Sequence, residues 1–96
     1  MLTVDRIKEV VALVGKRYGI KNAYLFGSYA KGKATEDSDV DLIIDEGAIN
    51  GYFELGGFYN ALVDELGTDV DILVDDSVEP RFFDQIKKDR ILLYER

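Results

Sequence analysis

The sequence predicts a single α/β (α+β) domain over residues 1–96, with a mixed central sheet of about four strands flanked by helices. Three observations predict it. Stretches with helical spacing of apolar residues alternate with short strand-like runs along the whole chain. Two segments, Asp39-Val40-Asp41-Leu42 and Asp69-Val70-Asp71-Ile72, repeat one strand pattern. The 96 residues suffice for one buried core, with no room for a second, substrate-binding domain.

Thr3 is suited to cap a helix whose apolar positions Val4, Ile7, Val10, Val11, Val14 and Tyr18 recur every three or four residues, and Gly19 to end it. Ala23 to Phe26 is a short apolar strand closed abruptly by Gly27-Ser28, which opens a tight turn and a helix start. Val40 to Asp45 alternates, placing Val40, Leu42 and Ile44 on one face and Asp39, Asp41, Ile43 and Asp45 on the other. Residues 46–57 hold four glycines without a clear period and read as a mobile loop. Phe58, Tyr59, Leu62, Val63 and Leu66 then mark a helix stopped by Gly67, and Val70 to Val74 is a third strand. Pro80 can open a last helix carrying Phe82, Phe83 and Ile86, before a final strand at Ile91 to Tyr94.

Composition removes several chemistries. There is no cysteine and no histidine, so disulfides, thiol nucleophiles, imidazole bases and the common zinc sites are excluded. Any metal must sit on oxygen ligands. The longest apolar run, Val10 to Val14, is far too short for a membrane span, which leaves a cytoplasmic protein as the expectation. A net charge of -7 opposes broad nucleic-acid binding, and it admits a polyanionic nucleotide only where cations reverse the local potential.

Asp39 and Asp41, two apart on a strand, point the same way with α-carbons roughly 6.6 Å apart. Such carboxylates can hold two metals about 3.5 to 4 Å apart, an arrangement suited to phosphoryl displacement. Asp71 shares the polar face of the third strand and is the natural third ligand; Asp69, at that strand's start, is the competitor. Asp-x-Asp pairs also occur on exposed strand edges, where they serve only solubility. At Gly27-Ser28 the outward backbone N–H groups and the helix end favour a phosphate and Ser28 adds a hydroxyl; Lys31 and Lys33 can reach toward a triphosphate, a solvated pair of lysines being the default reading. A plain turn with a serine cap is the alternative there.

Together, Gly27-Ser28-Tyr29-Ala30-Lys31-Gly32 and Ser38-Asp39-Val40-Asp41-Leu42 resemble the signature of the DNA polymerase beta-type nucleotidyltransferase superfamily, and within it the minimal nucleotidyltransferases of prokaryotes. The resemblance extends through Val70-Asp71-Ile72-Leu73 to the tail Ile91-Leu92-Leu93-Tyr94-Glu95. It implies that Gly27 and Ser28 hold the triphosphate of ATP, that Asp39 and Asp41 bind Mg2+, with Mn2+ the alternative, and that Asp71 helps activate the attacking hydroxyl. Lys31 stands where many members carry arginine; lysine keeps the charge without the two-pronged geometry.

The resemblance further implies transfer of AMP from ATP to a hydroxyl on a partner protein, the partner being a HEPN-domain toxin and this chain its antitoxin. Two other functions fit the same residues: a binding antitoxin with a vestigial nucleotide site, or nucleotidyl transfer to a small molecule, with a homo-oligomer supplying the pocket. The aromatic residues Tyr52, Phe53, Phe58 and Tyr59 are read as core, and Arg81 as a contact for phosphate or protein.

Overall fold

Thr3 opens the first helix, α1 (Val4–Tyr18), by accepting the Arg6 N–H on its Oγ1 at 3.1 Å. Gly19 closes it in the left-handed conformation, φ 75°, with its N–H donated to the Gly15 carbonyl at 2.9 Å. This is a computed structural model describing residues 2–45, 47–74, 81, 84 and 88–96. The remaining elements are β1 (Asn22–Phe26), the one-turn helix α2 (Gly27–Ala30), β2 (Val40–Asp45), α3 (Gly51–Leu66), β3 (Val70–Val74) and β4 (Ile91–Glu95). Most of the helix expected after Pro80, with Phe82, Phe83 and Ile86, lies outside the described residues; Arg81 and Asp84 have helical backbone.

The four strands form one mixed sheet in the order β3-β2-β1-β4. β1 runs antiparallel to β2 and to β4, whereas β2 and β3 are parallel. A parallel pair requires a crossover, and α3 supplies it. The core lies on the sheet face covered by α1 and α3, where Leu25, Leu42, Ile44 and Leu93 meet Ile7, Val14, Phe58 and Leu62. The other face is also partly closed. Ile43, expected on the polar side, is only 4% exposed, because in register it lies between Tyr24 and Leu73. The Arg90 guanidinium stands 4.2 Å from the Tyr24 ring centre.

The loop expected over residues 46–57 is in large part helix, since α3 begins at Gly51. Two contacts offset the poor helix propensity of its glycines, which is about 1 kcal/mol each. Glu54 reaches back to accept the Asn50 N–H at 2.8 Å, satisfying a donor at the helix start. Gly57 faces Tyr18 of α1 so closely that an added Cβ would lie 3.0 Å from its hydroxyl, and the Tyr18 and Phe58 rings pack edge to face at 5.8 Å.

The aromatic residues of α3 divide. Phe58 is fully buried as expected, but Tyr52 and Phe53 are 93% and 95% exposed and Tyr59 is 37% exposed. Helical spacing alone does not separate the buried ring from the exposed ones. Among the described residues no helix is long and apolar enough to cross a membrane.

Candidate active site

β1 runs directly into α2. Phe26 is extended, and Gly27 then takes φ +72°, a left-handed backbone that favours glycine. A second constraint acts at the same atom: a Cβ on Gly27 would collide with the Asp41 Oδ2 and lie 3.1 Å from its Cγ. The turn therefore brings bare backbone against a carboxylate. The carbonyls of Gly27 and Ser28 accept the N–H groups of Lys31 and Lys33 at 3.1 and 2.9 Å; the first N–H groups of any helical turn have no acceptor within it.

Strand register aligns the acidic residues. Asp41 pairs with Phe26 on one flank and with Asp71 on the other, so the Gly27 turn, Asp41 and Asp71 lie in a row across β1, β2 and β3. Asp41 has its carboxyl pushed up to about 6 from an ordinary 3.8. Burial contributes most, followed by a hydrogen bond with the Asp71 side chain and then by the charges of Asp71 and Asp39.

Asp39 and Asp71 are exposed, at the mouth of the row. Asp39 acts on Asp41 through its charge, and Asp71 does so through its charge and its side-chain hydrogen bonding. Among the described residues no three acidic side chains are already gathered into a ligand shell, so Asp39 would have to turn inward to join the other two. Asp69 is exposed, and its carbonyl is occupied in accepting the Val40 N–H at 3.1 Å, which ties the starts of β2 and β3 together. Lys31 and Lys33 are exposed at the far end of α2, opposite its N-terminal N–H groups.

One feature beside the acids escaped the sequence reading. A cavity of about 420 Å³ opens next to Asp71, between Tyr52, Leu55, Gly56 and Tyr59 of α3 and Asp71 and Ile72 of β3. Its signal in the sequence is the seven-residue interval between Tyr52 and Tyr59, which puts both rings on one helix face with Gly56 between them.

The profile of the polymerase beta nucleotidyltransferase family matches residues 8–96. A Methanocaldococcus jannaschii protein provisionally named a protein adenylyltransferase is 32% identical over 91 residues, covering 95% of this chain and 92% of its own length. The protein adenylyltransferase MntA of Thermococcus cleftensis is 35% identical over 86 residues, 82% of this chain and 84% of that protein. Among solved structures, one provisionally described as a minimal nucleotidyltransferase superposes with a TM-score of 0.80 at 29% identity, covering 94% of this chain and 95% of the other. The fold also matches a chain in the solved structure of a tri-AMPylated Shewanella oneidensis HEPN toxin in complex with MNT antitoxin, at a TM-score of 0.73 and 18% identity over 98% of this chain and 74% of that one. In sequence, sheet order and the placement of its Gly-Ser turn beside paired aspartates, the chain belongs to the polymerase beta nucleotidyltransferase family and has the fold of a minimal nucleotidyltransferase.

Proposed function

We propose that the chain transfers AMP from ATP to a hydroxyl of a partner protein, as the antitoxin of a HEPN-domain toxin in the cytoplasm. The observation that carries this reading is the row of Gly27, Asp41 and Asp71 across three adjacent strands, which sets a bare-backbone turn against one carboxylate with a second beside it. Relatives named protein adenylyltransferases and the AMPylated toxin bound to a protein of this fold supply the substrate and partner classes.

In this reading the N–H groups at the start of α2 and the Ser28 hydroxyl hold the β- and γ-phosphates, and Lys31 adds charge at the outer edge. Asp39, Asp41 and Asp71 would hold Mg2+, with Mn2+ the alternative; the all-oxygen donor set and the mutual repulsion recorded at Asp41 fit a hard dication. Such a metal would supply charge neutralisation for the phosphates. Asp71, exposed at the rim, takes the proton of the incoming hydroxyl while its oxygen bonds to the α-phosphorus and the bond to the bridging oxygen breaks, releasing pyrophosphate.

The test is incubation with α-labelled ATP, Mg2+ and the product of the adjoining gene. Label on that protein, lost in Asp39→Ala/Asp41→Ala, is the expected result. Toxin neutralisation that survives this double substitution without labelling would instead establish a binding antitoxin.

A further inference from the structure

β4 is an edge of the sheet, and among the described residues no strand lies on its outer side. The Arg96 N–H donates inward to the Lys21 carbonyl at 2.9 Å. By alternation along β1, the N–H and C=O groups of Glu95 and Leu92, opposite Asn22 and Tyr24, point outward. Such an edge is a template for another strand. Leu92 is 41% exposed there, and Asp89, Glu95 and Arg96 are exposed around it.

The run Asp89-Arg90-Ile91-Leu92-Leu93-Tyr94-Glu95-Arg96, read backwards, exchanges the sign of every charge. Laid antiparallel to a second copy about a twofold axis between Leu92 and Leu93, it sets Asp89 opposite Arg96, Arg90 opposite Glu95 and Ile91 opposite Tyr94. Opposed residues must share a face, and in a regular strand the members of each of these pairs would lie on opposite faces. The bulge in β4 removes that obstacle, because the register with β1 skips Leu93. Ile91 opposes Leu25 and Tyr94 opposes Ala23, so both lie on the core face. Arg90 stands over the Tyr24 ring and Glu95 opposes Asn22, so both lie on the other face.

We infer that the outer edge of β4 is an interface for a second copy of this chain, the two β4 strands pairing antiparallel across a twofold axis to join both sheets into one. The matched charges at the ends fix the register, and Leu92 is covered at the centre. β1 is antiparallel to β4, and β4 to its copy, so the Gly27 turns that follow the two β1 strands open toward opposite ends of the joined sheet. Asp71, on the far edge strand β3, stays clear of the interface in both copies. The pairing goes beyond the transferase reading and stands whether or not the chain transfers AMP.

The test is sedimentation of the whole chain over a concentration series, combined with hydrogen exchange of its amides. A monomer–dimer equilibrium is expected, with the Leu92 and Glu95 amides exchanging more slowly as concentration rises and the β3 amides unchanged. Asp89→Arg and Arg96→Asp are each expected to weaken self-association about tenfold, since each sets like charges opposite one another at both ends of the interface. Asp89→Arg/Arg96→Asp is expected to restore it to within about twofold. The two single changes move the net charge in opposite directions, so a general charge effect would not weaken both. A chain that stays monomeric, single reversals without effect, or a double reversal that fails to restore the dimer would each overturn the pairing. So would a dimer whose protected amides lie elsewhere, or protection of Leu92 and Glu95 that comes only with a different added protein.

Discussion

Gly27 lies against the carboxylate of Asp41 so tightly that the side chain of any other residue would have to displace it. Gly32, five residues on, shares the positive φ at 71° yet has nothing within 4 Å of a Cβ. The pair separates backbone strain from contact. Gly32→Ala is expected to cost about 1 kcal/mol, the strain of a left-handed residue. Gly27→Ala carries that strain plus the collision, about 2 to 3 kcal/mol in all, and should abolish nucleotide binding by pushing Asp41 aside. Thermal unfolding and titration with an ATP analogue measure the two effects separately.

Asp41 makes the fold less stable as pH rises. Its folded pKa of about 6 lies above the unfolded 3.8, so the folded state binds more protons between those values. Stability from this group is complete below about pH 4, falls from pH 4 to 6, and stays at its lowest above that. Asp41→Asn, measured with a chelator present, is therefore expected to stabilise the chain by about 1 to 2 kcal/mol at pH 7.5, after allowance for solvent screening, and by nothing at pH 3.5. Unfolding curves that shift equally at both pH values would contradict this sign.

Asp71 raises the pKa of Asp41 through both a hydrogen bond and its charge. Asp71→Asn removes the charge and offers an amide donor to an ionised Asp41, so the Asp41 carboxyl should titrate nearer its ordinary value. Carbon-13 detection of the side-chain carboxyl follows it directly. Under the proposed chemistry the same variant loses AMP transfer by about a hundredfold or more, with little change in nucleotide affinity.

The α3 aromatic residues make a stability contrast. Phe58→Ala empties a fully buried site and is expected to cost about 3 to 5 kcal/mol. Phe53→Ala, at a position 95% exposed, should fall within about 0.5 kcal/mol of the parent. Denaturant titration distinguishes the two in one series.

Lys31→Ala is expected to weaken binding of an ATP analogue about three- to tenfold at low ionic strength, and Lys31→Arg to preserve or tighten it through a two-pronged contact. No loss in Lys31→Ala would remove Lys31 from the nucleotide site. Its exposed place at the end of α2 makes the salt dependence part of the measurement.

Periodicity made α1, β2 and β3 readable to the residue, since caps such as Thr3 and Gly19 and strict alternation in β2 are local properties. It failed at Gly51–Gly57, where helix is imposed by packing of Gly57 on Tyr18 and by Glu54 bonding the Asn50 N–H. Parity placed Asp71 on the same face as Asp41, but nothing local says that β3 lies beside β2. That adjacency follows from the crossover through α3. The cavity was illegible for the same reason: its two walls belong to elements that meet only in the folded chain.

The parallel pairing of β2 with β3 also sets an order of events in folding. Gly27 directly follows β1, whose antiparallel partner β2 carries Asp41, and residues 27–39 join the two strands, whereas Asp71 is joined to Asp41 through the longer span that includes α3. Loop closure over the longer span is the slower entropic step. A nascent or partly unfolded chain therefore carries the turn and two of its acids before it carries the third, and refolding monitored at Asp71 should lag refolding monitored at the β1–β2 pair.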